Sequence, residues 1–273
     1  MTTIDSSADG YTSIDDLSVE LADGVLSVTL NRPDSLNSLT AAMLKGIADA
    51  LGQAATDPRV KVVRLGGAGR GFSSGAGISE EDHADPGTNG TPADVLDAAN
   101  GAVRSIVKLP QPVVAVVQGP AAGVGASLAL ACDVVLASEK AFFMLAFTKI
   151  GLMPDGGASA LIAASVGRHR AMRMALLAER IPAAEAHEWG LVTAVYPADQ
   201  FDAEVDKVVA TLMSGPAVAL RKTKDAINAA TLAELEAALE REKQGQLVLI
   251  SSDDFHEGTR AFQQRRPAKF ADR

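Results

Sequence analysis

The stretch Gln111–Ser138, "QPVVAVVQGPAAGVGASLALACDVVLAS", decides the fold. Its valine-rich opening reads as a strand, "GPAAGVG" as a glycine-rich turn, "ASLALAC" as an apolar helix and "DVVLAS" as another strand. Gly123 and Gly125 flank Val124 where the helix begins. Glycines there let a ligand approach the backbone, and the first N–H groups of a helix have no intrahelical partner. Such a place suits a partial negative charge on a ligand oxygen. The same glycines also fit a tight strand–helix turn with close packing, and both readings stay open at this point.

Working outward, "VEL" and "GVLSVTLNRP" predict a hairpin about the turn Ala22–Asp23–Gly24. Ser38–Asp57 has helical apolar spacing, with Ser38 as its expected cap. "VKVVRLGGAGRGF" gives a short strand ending in glycines, and a helix is expected near Ala93–Leu109. Residues 80–93 are the most polar internal stretch and read as a loop. Beyond the quoted segment come a short strand in "AFFMLAF", an amphipathic helix in "RHRAMRMALLAERI", a helix in "PAAEAHEWG" and a last strand in "LVTAVYP". From Ala203 onward the pattern is helical. Two strands often precede each helix, which departs from simple βαβ alternation. The division expected is a disordered N-terminus (1–15), a strand-rich core (16–200) and a helical C-terminal region (201–273).

Composition narrows the function. The chain of 273 residues carries a net charge of -9, so general nucleic-acid binding is not expected. No run is long and apolar enough for a membrane span, and the polar, acidic N-terminus does not read as a signal peptide, so a cytoplasmic protein is the expectation. The single cysteine, Cys132, sits in an apolar run and reads as inert core. The four histidines are scattered without metal-ligand spacing, so no metal is expected. "GFSSG" (Gly71–Gly75) matches the G-x-S-x-G of a hydrolase nucleophile elbow, but the residues after Gly75 read as loop rather than helix.

Six ordered segments carry a family resemblance: "VTLNRPDSLNSLT", "GAGRGFSSGAGISE", the Gln111–Ser138 stretch, "FTKIGLMPDGGAS", "AAEAHEWGLVTAVYP" and "DDFHEGTRAFQQRRPAKF". Together they resemble the enoyl-CoA hydratase/isomerase, or crotonase, superfamily from about Val19 to Phe270. The resemblance implies an α/β spiral of ββα units with a helical C-terminal trimerisation region, and a homotrimer or hexamer. It implies an acyl-CoA thioester as ligand and no separate cofactor, since coenzyme A is part of the substrate. It places a thioester oxyanion hole at the backbone N–H groups of Ala76 and Val124, with Leu36, Ser74, Gly75, Gly77, Ile78, Gly123, Ser127 and Phe147 lining the substrate site. Removing a proton beside a thioester puts charge on the carbonyl oxygen, and preorganised donors favour that enolate.

The two glutamates with which hydratases of this family activate water fall at Ser127 and Phe147, and neither side chain does a glutamate's work. The Asp common after the oxyanion residue is Gly77, and a basic residue used by some relatives for CoA is Asp34. Arg70, Lys149 or the C-terminal "RRPAK" remain as phosphate partners. Asp155, in "GLMPDGG", matches the place where some relatives without the glutamates carry a carboxylate that shuttles a proton. A dehalogenase branch uses an Asp there as nucleophile, but the Trp it needs is Phe147 here. The favoured expectation is therefore an enoyl-CoA isomerase with Asp155 as its base, its pKa raised by burial among Leu152, Met153 and Phe147. The alternatives are a hydratase drawing an acid or base from Glu80–Asp82, and a non-catalytic acyl-CoA-binding protein. Asp155 also reads as a plain N-cap of the succeeding helix. Ala121, Ala122 and Ala126 leave room for a bulky acyl group.

Overall fold

The computed structural model describes residues 4–6, 10–77 and 91–271. Ile78 and the Glu80–Asp82 segment therefore lie outside the described residues. The expected hairpin is present: Asp23 and Gly24 both take positive φ, at 50° and 86°. That pair of left-handed residues matches the twist of the strands it joins, which run from Leu17 to Ala22 (β3) and Val25 to Leu30 (β4). Register is set by alternation, with Leu17 and Val19 turned into the core and Ser18 and Glu20 exposed.

Beside β4 lie, in parallel, β5 (Val62–Gly67), β6 (Val113–Val117), β8 (Val134–Ser138) and β11 (Ala194–Tyr196). The valine run of β6 is buried at every position because helices cover both faces. Val113, Ala115 and Val117 join the main core. Val114 and Val116 pack with Phe201, Val205 and Val209 of helix α6 (Phe201–Ser214). A second sheet of three short strands orders β10 (Ile181–Pro182), β9 (Phe142–Met144) and β7 (Pro120–Ala122). Two strands do precede a helix: β6 and β7 lead to α3 (Val124–Leu130), and β8 and β9 lead to α4 (Ala158–Leu177).

The opposite edge corrects one expectation. β1 (Ile4–Ser6) and β2 (Thr12–Ile14) extend the large sheet to eight strands, where disorder was expected through residue 15. Tyr11 is one anchor: its ring is fully buried, and its hydroxyl donates to Asp57 at 3.3 Å. The anchored aromatic and the bonds between Ser13 and Val19 hold the segment despite its polar neighbours.

Helix α1 (Ala41–Ala54) packs against α2 (Pro92–Lys108). Thr40, rather than Ser38, caps α1 by accepting from Met43 N at 3.2 Å. The Ser38 hydroxyl is instead engaged with Arg32 and Ser35. After the short α5 (Ala183–Glu188) and β11, the described residues form only helices: α6, α7 (Ala217–Thr231), α8 (Leu235–Ile250) and α9 (Asp253–Gln263). Helix α8 reaches back onto α2 and α4, and α9 rests on the 3-10 turn Ala146–Ile150. The helical tail thereby covers the segment that carries Asp155.

Candidate active site

Three loops leave the carboxyl ends of the parallel strands β4, β5 and β6 and are stitched together by hydrogen bonds. Asn37, wholly buried, is the central brace. Its Nδ2 donates to the carbonyls of Ala68 and Gly71, both at 2.9 Å, and its Oδ1 accepts from Arg32 N. Ser74 N donates to Leu36 O, and Leu39 N donates to Gly75 O, each at 2.8 Å. From the third loop, Ala122 N donates to Ser73 O at 2.9 Å. The only local sign of Asn37 in the sequence is "LNSL", where an Asn with positive φ is a common device.

Gly75 and Gly123 bring the two expected donor segments into contact. Gly75 has φ +95°, and a Cβ there would sit 2.9 Å from Ala122 O and 3.5 Å from Gly123 Cα. Gly123 has φ +53° and ψ -134°, a region that only glycine visits readily. The next residues are Ala76 and Val124. Among the described residues, neither of their N–H groups donates to a protein acceptor, whereas Gly77 N is spent on Leu39 O and Gly123 N on Met144 O. Phe147, buried, lies against Gly123 and forms an apolar wall.

Asp155 belongs to the same cluster. Ser127 Oγ donates to its backbone carbonyl at 2.8 Å, tying the segment to α3. The adjoining Gly156 packs against Val124: a Cβ there would lie 3.4 Å from Val124 Cγ2. Asp155 is half-buried as a residue, but its Oδ1 is fully buried and has no hydrogen-bond partner among the described residues, while Oδ2 accepts from Gln246 Nε2 at 2.8 Å. Burial pushes the carboxyl up to about 7, the charge of Glu242 adds to the rise, and the Gln246 bond opposes it.

The N-cap alternative is overturned. Gly157 occupies the cap of α4 with no side-chain cap bond of its own, and the N–H groups at this helix start are taken from afar by Glu242. Its carboxylate accepts from Gly157 N at 2.7 Å, from Ser159 N at 2.9 Å and from the Ser159 hydroxyl. Burial raises the pKa of Glu242, and these bonds oppose the rise. Glu242 and Gln246 are residues that sequence reasoning missed. A signal existed: Leu235, Ala238, Leu239, Glu242 and Gln246 share one buried face of α8, so two polar residues continue an apolar stripe.

Other candidates fare differently. Leu36 takes positive φ and stands next to Gly71, and the Ser74 hydroxyl donates to Ser35 O rather than toward Asp155. Ser73, the elbow serine of "GFSSG", is buried; it donates to Asn37 O at 2.8 Å and accepts from Gly75 N at 3.1 Å. It is a brace, and among the described residues no helix begins between Ser74 and Gly77, which speaks against a hydrolase elbow. Cys132 is buried and its thiol pKa is pushed far up by burial, in keeping with an inert side chain. Arg70 and Lys149 are exposed, while Arg266 of "RRPAK" is held by Glu257. A cavity of about 400 Å³ beside α7, lined by Cys132, Asp133 and Lys224 among others, shares no residue with these loops.

The family model described as "Enoyl-CoA hydratase/isomerase" matches residues 20–273, nearly the whole chain. The chain belongs to the enoyl-CoA hydratase/isomerase family. A solved structure of an enoyl-CoA hydratase from Mycobacterium avium subsp. paratuberculosis is 70% identical with a TM-score of 0.88, covering 94% of this chain and 99% of that one. A 1,2-epoxyphenylacetyl-CoA isomerase of Escherichia coli is 38% identical, over 90% of this chain and 95% of its own. A probable enoyl-CoA hydratase of Rhodobacter capsulatus is 41% identical, over 93% and 97%. The family's relatives thus include both isomerases and hydratases, and the fold is the crotonase-type α/β fold. No helix among the described residues is long and apolar enough to cross a membrane.

Proposed function

We propose that this enzyme moves a double bond within an enoyl-CoA thioester, with Asp155 as the base. One observation carries the proposal: a carboxylate with one buried oxygen that has no partner among the described residues sits on a segment tied to the Val124–Ser127 helix, and burial raises its pKa. A β,γ-enoyl thioester would lose its α-proton to Asp155. The electron pair would spread onto the thioester oxygen, where the N–H groups of Ala76 and Val124 would receive it. Protonation at the γ carbon then gives the conjugated α,β-enoyl thioester and restores the carboxylate. A pKa near the working pH suits a group that must both accept and return a proton.

Hydration is the second reading, favoured by the likeness to an enoyl-CoA hydratase at 70% identity. Two features speak against it. The Ser127 hydroxyl is committed to the Asp155 carbonyl, and Phe147 offers only a buried apolar wall. A trimer or hexamer also belongs to the proposal, supported by the exposure of Val248 and Phe262 on the C-terminal helices, at 72% and 63%.

The test is to supply a β,γ-enoyl-CoA and follow the absorbance of the conjugated thioester, for the wild type and for Asp155→Asn. Conjugation by the wild type and its loss in Asp155→Asn are the results expected. Equal conjugation by both would remove Asp155 from the chemistry.

A further inference from the structure

We infer that Gln246 is a positioning residue that assigns the proton to one oxygen of Asp155, Oδ1. This rests on the reading of Asp155 as base. Gln246 lies on α8, 91 residues along the chain from Asp155, and is 1% exposed. Its amide has a defined orientation: Oε1 accepts from Met153 N at 3.2 Å, which turns Nε2 toward Asp155. That nitrogen has only protons to offer and accepts none. An Oδ2 that receives a hydrogen bond from Gln246 keeps its lone pair in both protonation states of the carboxyl. The proton taken from substrate must then sit on Oδ1, the oxygen that has no partner among the described residues.

The same helix fixes the surrounding backbone. Gln246 holds Met153 N, two residues before Asp155, and Glu242, one turn earlier on α8, holds Gly157 N, two residues after it. Ser127 holds the carbonyl of Asp155 itself. Glu242 is the charged group that acts on Asp155 from α8. Helix α3 presents Ser127 and no ionisable side chain, the segment Gly151–Gly157 has no other one, and the first turn of α4 presents Ser159. One oxygen therefore takes the proton from the α carbon and delivers it to the γ carbon. The bond broken is Cα–H, the bond formed is Cγ–H, and the carboxyl holds the proton between.

The test compares the wild type with Gln246→Met and Gln246→Glu, measuring kcat/KM for β,γ-enoyl-CoA across pH and the fate of an α-deuterium. Gln246→Met removes the donor and Gln246→Glu adds a like charge while keeping an acceptor for Met153 N, so each should move the acid limb of the profile upward by about one pH unit. Deuterium carried from the α to the γ carbon should fall as protons reach both oxygens. A uniform loss of rate, with the limb and the deuterium transfer unchanged, would make Gln246 a packing residue and overturn the inference. Asp155→Asn separates the two levels. If it stays active, the Asp155 reading fails and takes this inference with it; if it is inactive while the Gln246 variants show no shift, only the inference on Gln246 fails.

Discussion

Asp155→Asn should stabilise the protein at alkaline pH far more than at acid pH. The carboxyl of Asp155 titrates at about 7 in the fold against 3.8 for an ordinary aspartate. Between those values the folded chain keeps a proton that the unfolded chain has released, so the stability of the wild type falls as pH rises from about 4 to about 7. At 1.36 kcal/mol per unit, the full cost of ionising Asp155 in the fold is about 4 kcal/mol. Roughly a third of it has accrued by about pH 5 and nearly all by about pH 8.5, leaving a difference of about 3 kcal/mol between the two conditions. Asparagine has the same shape and never ionises. Its amide faces the pocket where Oδ1 has no partner among the described residues, which costs about 1–3 kcal/mol, but that cost is the same at both pH values and cancels. In apparent Tm the relative gain of the variant between about pH 5 and about pH 8.5 is roughly 6–12 °C. Thermal unfolding followed by circular dichroism at the two pH values measures it. A constant difference between the two proteins across that range would show that Asp155 titrates as an ordinary surface carboxylate.

Three further substitutions have defined outcomes. Gly75→Ala must fit a Cβ 2.9 Å from Ala122 O at φ +95°, which displaces Ala76 N; kcat should fall by about 10²–10³ while the protein still folds. Glu242→Gln leaves one oxygen where two accept from Gly157 N and Ser159, so urea unfolding should show a loss of about 1–3 kcal/mol, and the acid limb of activity should move down as the charge beside Asp155 disappears. Lys224→Met removes the partner of Asp133, 2.8 Å away, and the donor to Ile106 O and Gln111 O. Asp133 keeps the bond from Val113 N at 2.7 Å and its side chain is 19% exposed, so the expected loss is about 1–3 kcal/mol. Burial already raises the pKa of Asp133, so the loss should be larger at alkaline pH, where the carboxylate must be charged.

The sequence discloses those parts of the molecule that local chemistry determines. Asp23–Gly24 announces its hairpin because few residues tolerate two left-handed positions in a row. The valine run of β6 and the glycines before α3 likewise foretell strand, turn and helix. Local chemistry misleads where tertiary partners intervene. Ser38 looks like a cap, but Arg32 and Ser35 claim its hydroxyl and Thr40 caps instead. Asp155 looks like a cap, but Glu242 takes the helix N–H groups and frees the aspartate. Both Glu242 and Gln246 act across more than 80 residues of chain, and nothing local to Asp155 points to them. The polar N-terminal segment shows the same limit, since the burial of Tyr11 and the pairing of β2 with β3 are made with distant partners.

Offering the enzyme a β,γ-enoyl-CoA and an α,β-enoyl-CoA separately, and weighing the products by mass spectrometry, tests the isomerase reading most directly. The β,γ substrate should become its conjugated isomer with no change in mass, and the α,β substrate should gain no water. Addition of water to the α,β-enoyl thioester without isomerisation of the β,γ compound would contradict that reading.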